Sequence, residues 1–248
     1  MTALPCRNRT SSEVRTGMLE ADCLFVPLGL PTISTPAVMA VAVKTLFAHD
    51  FIPRVDLALK TEVLQAAIKA SRRTDTQTAR PVIAAFNNIN FAHNQLAVCL
   101  GFDIIEYEGA EPDELAPFAA LCAEAGVYGL VHFNDPGVLE LMLASIEDPN
   151  LLAAHLDYNE CRLKDYAVAY RRVGLEPKSQ IAIVSCPITW GTSWQRIIRH
   201  QCGFELIPGL VLTDVFAKIN PNDTEAIKHA IANAREHFTP FTGHEPVG

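Results

Sequence analysis

A single α/β domain, folded as a (β/α)8 barrel of TIM type with mostly parallel strands, is predicted by three observations on this 248-residue chain. Eight apolar segments of strand length alternate with segments of helical periodicity, and the strand starts are spaced as that fold requires. The clearest strand, Ile181 to Val184, is a continuous apolar run, the pattern of a strand covered on both faces. No interior linker marks a second domain. Two doubly wound units of four strands each are the alternative, and both folds place function at the C-terminal ends of the strands.

Residues 1–20 are polar and read as an N-terminal arm or short helix; the barrel domain is expected over 21–238 and a loose tail over 239–248. Asp22 to Leu28 is the first strand. A loop rich in Pro, Thr and Ser leads to a buried helix, Ala37 to His49, and a second strand, Phe51 to Leu57. Thr61 to Ser71 carries Val63, Leu64, Ala67 and Ile68 on one helical face. Val82 to Phe86 is the third strand. Its polar turn opens a helix from Phe91 to Leu100 that Gly101 can stop. Phe102 to Glu108 is the fourth strand, and Pro112 to Ala125 a helix with Asp113 and Glu114 favourably placed in its first turn. Gly129 to Phe133, a helix over Gly137 to Ile146, a strand over Leu151 to Leu156 and a helix over Glu160 to Val173 follow. The sixth strand has the least distinct pattern, because it could also run into its helix. Ile181 to Val184 leads through a turn to a helix that Thr192 or Ser193 would cap. Phe204 to Leu212 and a helix over Asp223 to His237 complete the set. The joints Cys99–Asp103 and Gln201–Glu205 share a Cys-(Leu)-Gly-Phe-acidic pattern that is compatible with an internal repeat, and equally with a common way of stopping a helix before a strand.

Composition narrows the function classes. The formal net charge is −8, and the basic pairs Arg72-Arg73 and Arg171-Arg172 are isolated, which argues against nucleic acid as a partner. The longest apolar run, Ala37 to Ala48, is too short to span a bilayer and contains Lys44, so no membrane association is expected. Seven cysteines include no CxxC pair, which suits a reducing, cytoplasmic setting. Cys99 and Cys202 are expected to be buried packing residues. Phe47, Phe51, Phe133, Trp194, Phe216 and Phe238 are numerous enough for some to lie on the surface, which would favour a homo-oligomer.

Polar residues follow the apolar strands and would gather on one face, where groups at the mouth of an apolar barrel need partners. The candidate catalytic residues are Glu106, His132, Asp135 and Cys186. Carboxylates there could move protons with a histidine partner, and a thiol facing a helix N-terminus could be a nucleophile. Asn87, Asn88, Asn134, Thr189, Thr192 and Ser193 are candidate substrate-binding residues, though the asparagines around Asn90 equally suit turn and cap duty. Glu106, His132 and Asp157 end successive strands and could hold Mg²⁺, Mn²⁺ or Zn²⁺, without any HxH or HExxH signature. The reaction class expected is a lyase or isomerase acting by acid–base chemistry on a small polar, carboxylate- or hydroxyl-bearing substrate. A thiol-dependent racemase or hydrolase using Cys186 and a non-catalytic ligand-binding domain are the alternatives.

Cys186-Pro187-Ile188-Thr189-Trp190-Gly191 resembles the first strand and turn of xylose-isomerase-like barrels, the sugar epimerases and inosose dehydratases, and Gly101-Phe102-Asp103-Ile104-Ile105-Glu106 is similar to another strand opening of that group. The resemblance covers a small share of the chain, and its first element lies near the C-terminus here, so no functional residue is carried over from it.

Overall fold

The structure is a computed structural model that describes residues 10–29, 31, 33–72, 82–88, 90–108, 112–133, 136–144, 152–156, 163–188, 206–220 and 223–238. Eight strands form one closed, all-parallel barrel: β1 (Leu24–Leu28), β2 (Ile52–Asp56), β3 (Ala84–Asn88), β4 (Ile104–Tyr107), β5 (Tyr128–Phe133), β6 (Leu152–Leu156), β7 (Ile181–Cys186) and β8 (Ile207–Leu212). Each strand pairs with the next, and β8 closes on β1 through Leu24–Leu210 and Phe25–Val211. The single barrel is therefore the fold, and the two-sheet alternative is excluded. The sixth strand is real and pairs with both neighbours.

Side chains alternate across the barrel wall, as the two-residue period of a strand dictates. Phe25, Ile52, Ala84, Ile104, Leu130 and Ile183 fill the interior. Val26, Ala85, Ile105, Val131, Ala182 and Val184 face outward into a second apolar layer under the helices. These are α2 (Pro36–Ala48), α3 (Thr61–Ser71), α4 (Phe91–Leu100), α5 (Pro112–Ala125), α6 (Pro136–Leu143), α7 (Leu163–Arg172) and α8 (Thr224–Glu236). Their ends follow local chemistry. Thr35 caps α2 ahead of Pro36, Asn90 accepts from the His93 N–H to cap α4, and Asp223 caps α8. Gly101, at φ 93°, supplies the left-handed residue that ends α4.

The helix α1 (Ser11–Glu20) begins with a Thr10–Glu13 capping box. Its Val14 and Met18, one turn apart, are fully buried and join the interior cluster beside Cys23, Tyr128 and Ile181. All three lie at or just before strand starts, so α1 plugs the N-terminal end of the barrel. Arg15 donates to the Ser179 carbonyl at 2.5 Å and ties the plug to the approach to β7.

One packing expectation changes. Cys99 is exposed, because the buried positions of α4 are Asn94, Ala97 and Leu100, and Cys99 falls on the other side of the helix. Cys202 lies outside the described residues. Phe51, Phe216 and Phe238 are buried, and the half-buried Phe47 packs against the core. Trp194 and the Phe133 side chain lie outside what is described. Among the described residues no helix is long and apolar enough to cross a membrane.

Candidate active site

Toward the C-terminal mouth the inward positions change from apolar to polar, and three of them carry charge or imidazole into a dry wall. Arg54 of β2, Glu106 of β4 and His155 of β6 are all buried. An isolated buried ion is strongly disfavoured, so such groups persist only when paired. Here they are. Arg54 Nε donates to Glu106 Oε2 at 2.6 Å and Nη2 to Oε1 at 2.8 Å, a two-point grip that matches guanidinium to carboxylate. The guanidinium lies 4.0 Å from the Phe86 ring centroid, and Nη2 also reaches Glu108 Oε1 at 3.4 Å.

Glu106 Oε1 lies 2.5 Å from His155 Nδ1, and His155 Nε2 lies 3.1 Å from Ser185 Oγ. Burial alone would raise the Glu106 carboxyl, but the Arg54 guanidinium and the His155 contact outweigh it and hold the group well below its ordinary 4.5. An ionised carboxylate can only accept, so the Nδ1 proton of His155 points at Glu106, and Nε2, when it carries no proton, is the nitrogen that can accept from the Ser185 hydroxyl. The result is an ordered chain, Arg54–Glu106–His155–Ser185, running across β2, β4, β6 and β7. His132 and His155 are register partners on β5 and β6, and their rings stack with centroids 4.8 Å apart and planes 25° apart. His155 is enclosed, whereas His132 and Ser185 are half-buried and form the accessible ends of the cluster.

The expected residues separate accordingly. Glu106 and His132 meet at the mouth. Glu106 is held in its ionised form, and its Oε1 contact fixes the ring of His155. Cys186 does not join them. It follows the inward Ser185 and so faces outward, fully buried in the outer apolar layer with Val184 and Leu212. Its thiol is pushed up to about 11, first by burial and then by the nearby Asp214 carboxylate, the opposite of an activated thiolate.

Asn87 is at the mouth, at φ 66°, but its amide donates to Asp56 Oδ1 at 2.9 Å, which also accepts from the Ala58 N–H at 2.8 Å. That contact joins the ends of β3 and β2. Asn94 is fully buried, and neither its amide nitrogen nor its oxygen has a hydrogen-bond partner. Asn134, Asp135, Asp157, Thr189, Thr192, Ser193 and the Asn88 side chain lie outside the described residues.

Of the expected divalent-ion set, Glu106 and His132 are described and Asp157 lies outside the described residues. Both Glu106 oxygens are directed at Arg54 and His155, and among the described residues no group of three or more His, Cys, Asp or Glu side chains could hold a metal.

Arg54, His155 and Ser185 escaped the sequence reading although a signal existed. Each is a polar residue set at an inward position of an otherwise apolar strand. Choosing the residues just beyond the strands, rather than their last inward positions, missed them.

No family model matches the chain, and no curated protein matches its sequence. Solved structures do match it over nearly their whole length. A putative fructose-1,6-bisphosphate aldolase from Coccidioides immitis superposes with a TM-score of 0.62 at 11% identity, covering 93% of both chains. The tryptophan synthase α subunit of Legionella pneumophila gives 0.60 at 11% identity, over 91% of this chain and 97% of that one. The YdjI aldolase of Escherichia coli K12 gives 0.58 at 8% identity, over 91% and 93%. Likeness at such low identity is a likeness of fold, and the fold it shows is the TIM barrel, the same closed eight-stranded parallel barrel seen here.

Proposed function

We propose that this chain is an enzyme of the lyase or isomerase type, moving protons on a small polar, carboxylate- or hydroxyl-bearing substrate at the C-terminal mouth of the barrel. One observation carries the reading: a buried Glu106–His155–Ser185 chain, locked by Arg54, opening onto that mouth through a half-buried hydroxyl. A structural ion pair would need only Arg54 and Glu106. The added imidazole and hydroxyl make a directional path for a proton, and perturbed, paired groups of this kind concentrate at working sites. The aldolase and tryptophan synthase names of the fold relatives agree with carbon–carbon or carbon–heteroatom lyase chemistry.

In this reading the acidic C–H of the substrate, next to a carbonyl, gives its proton to Ser185 Oγ as the hydroxyl proton passes to His155 Nε2. Glu106 stabilises the imidazolium that forms, without taking the proton itself. Arg54 keeps Glu106 ionised and in place. His132, beside the imidazole, hydrogen-bonds the substrate oxygen on which charge develops. Cys186 has no part, because its thiol faces the outer layer.

The test is hydrogen exchange. Purified protein in D2O, offered a panel of small hydroxy acids, oxo acids and hydroxy ketones, is followed by proton NMR for loss of substrate C–H signals. Wild type should exchange at least one compound class, and His155→Gln should slow that exchange by about 100-fold or more while retaining the wild-type melting temperature within a few degrees. Unchanged exchange in His155→Gln would remove the proposed site.

A further inference from the structure

The order and spacing of Glu106, His155 and Ser185 carry more than proton transfer. A carboxylate on imidazole Nδ1 at 2.5 Å, and a serine hydroxyl on Nε2 at 3.1 Å, is the arrangement by which a base prepares an oxygen nucleophile. Three features of this chain suit that use. The carboxylate is held ionised by Arg54 and takes the Nδ1 side of the ring, so Nε2 is the nitrogen that faces the hydroxyl. The imidazole is buried and held by its two hydrogen-bond partners, whereas the serine is the half-buried end of the chain. Ser185 also sits on β7, whose backbone is paired to β6 and β8 on both sides, so the nucleophile is carried by a rigid strand.

We infer that Ser185 is a nucleophile toward acyl esters of small, hydroxyl-bearing alcohols, a second activity of the same mouth. The Oγ attacks the ester carbonyl carbon while its proton passes to His155 Nε2. The tetrahedral intermediate collapses with cleavage of the carbon–oxygen bond, and the departing alcohol takes that proton. Water, deprotonated by His155, then cleaves the acyl–Ser185 ester. It releases a carboxylic acid, and the proton returns to Oγ. No oxidant, reductant or further group enters. This goes beyond the exchange reaction: it uses the same side chains but needs a bond to form at Oγ.

A fluorophosphonate tests bond formation directly, because Oγ displaces fluoride at phosphorus and leaves a stable adduct. Intact-mass spectrometry of the wild-type protein should show one adduct per chain, and peptide mapping should place it on Ser185. His155→Gln should slow labelling roughly tenfold or more, and Cys186→Ser should label at the wild-type rate. No adduct on wild type, or an adduct mapped to any other residue, would overturn the inference. Peptide mapping does not depend on any variant folding. Absence of labelling together with substrate exchange in D2O would remove the nucleophile alone and leave the acid–base reading intact. Labelling at Ser185 without exchange would support the nucleophile and remove the exchange reaction.

Discussion

At the scale of single residues, the behaviour of the site depends on a buried charge that cannot stand alone. Glu106 is enclosed with its carboxyl held well below 4.5, so its ionisation favours the folded state at all pH above that value, and this stabilisation fades only as pH falls through the lower folded value. Replacing Arg54 by Leu leaves a buried carboxylate without its main partner. The expected loss is about 3–5 kcal/mol at neutral pH, measured by urea unfolding. Burial, which already acts to raise this carboxyl, would then be opposed by His155 alone, so Glu106 should titrate higher in the variant than in wild type. Residues at this scale were the least legible in the sequence. Ser185 and Cys186 are adjacent, and both can serve as nucleophiles. Only the strand's phase tells them apart, and that phase depends on β7 continuing to Cys186 instead of stopping at Val184.

At the scale of elements, sequence pattern was a far better guide. Helix and strand alternation is a property of many residues at once, so α3, α4 and α5 emerge with the bounds read from their periodicity. β6 was the hardest strand because Ala153 and Ala154 carry little apolar signal, although small residues are what its inward and outward positions accept. β8 shows the same limit on space. A methyl group added at Gly209 would meet Cys23 Cβ and Ile183 Cγ1 at 3.0 Å and the Cys23 carbonyl at 3.1 Å. Gly209→Ala should thus destabilise the barrel by about 1–3 kcal/mol, because interiors this close-packed resist even one extra carbon. A midpoint in urea equal to that of wild type would show that β1 and β7 can shift to admit it.

At the scale of the whole molecule, one end of the barrel is closed and the other is equipped. An arm or short helix was expected ahead of β1, and the capped helix α1 found there inserts Val14 and Met18 beneath the interior cluster. Its short length and polar composition hid that role, since only two side chains carry the packing. Met18→Ala should cost about 2–5 kcal/mol through the cavity it leaves, yet spare the chemistry at the far mouth. Thermal unfolding together with residual exchange activity would separate the two effects. The fold was legible because eight recurring units repeat one message, whereas the site was only partly legible because its residues come from β2, β4, β6 and β7, and nothing in linear order places Arg54 beside Glu106 or His155 beside Ser185.

The central claim is that chemistry belongs to the inward relay and not to the outward thiol, and two neighbouring positions on β7 test it most directly. Substrate exchange in D2O should be compared for Ser185→Ala and Cys186→Ser, each checked for a wild-type melting profile. The relay predicts a loss of about 100-fold or more for Ser185→Ala and a rate within about threefold of wild type for Cys186→Ser. Exchange that survives Ser185→Ala and collapses in Cys186→Ser would contradict it.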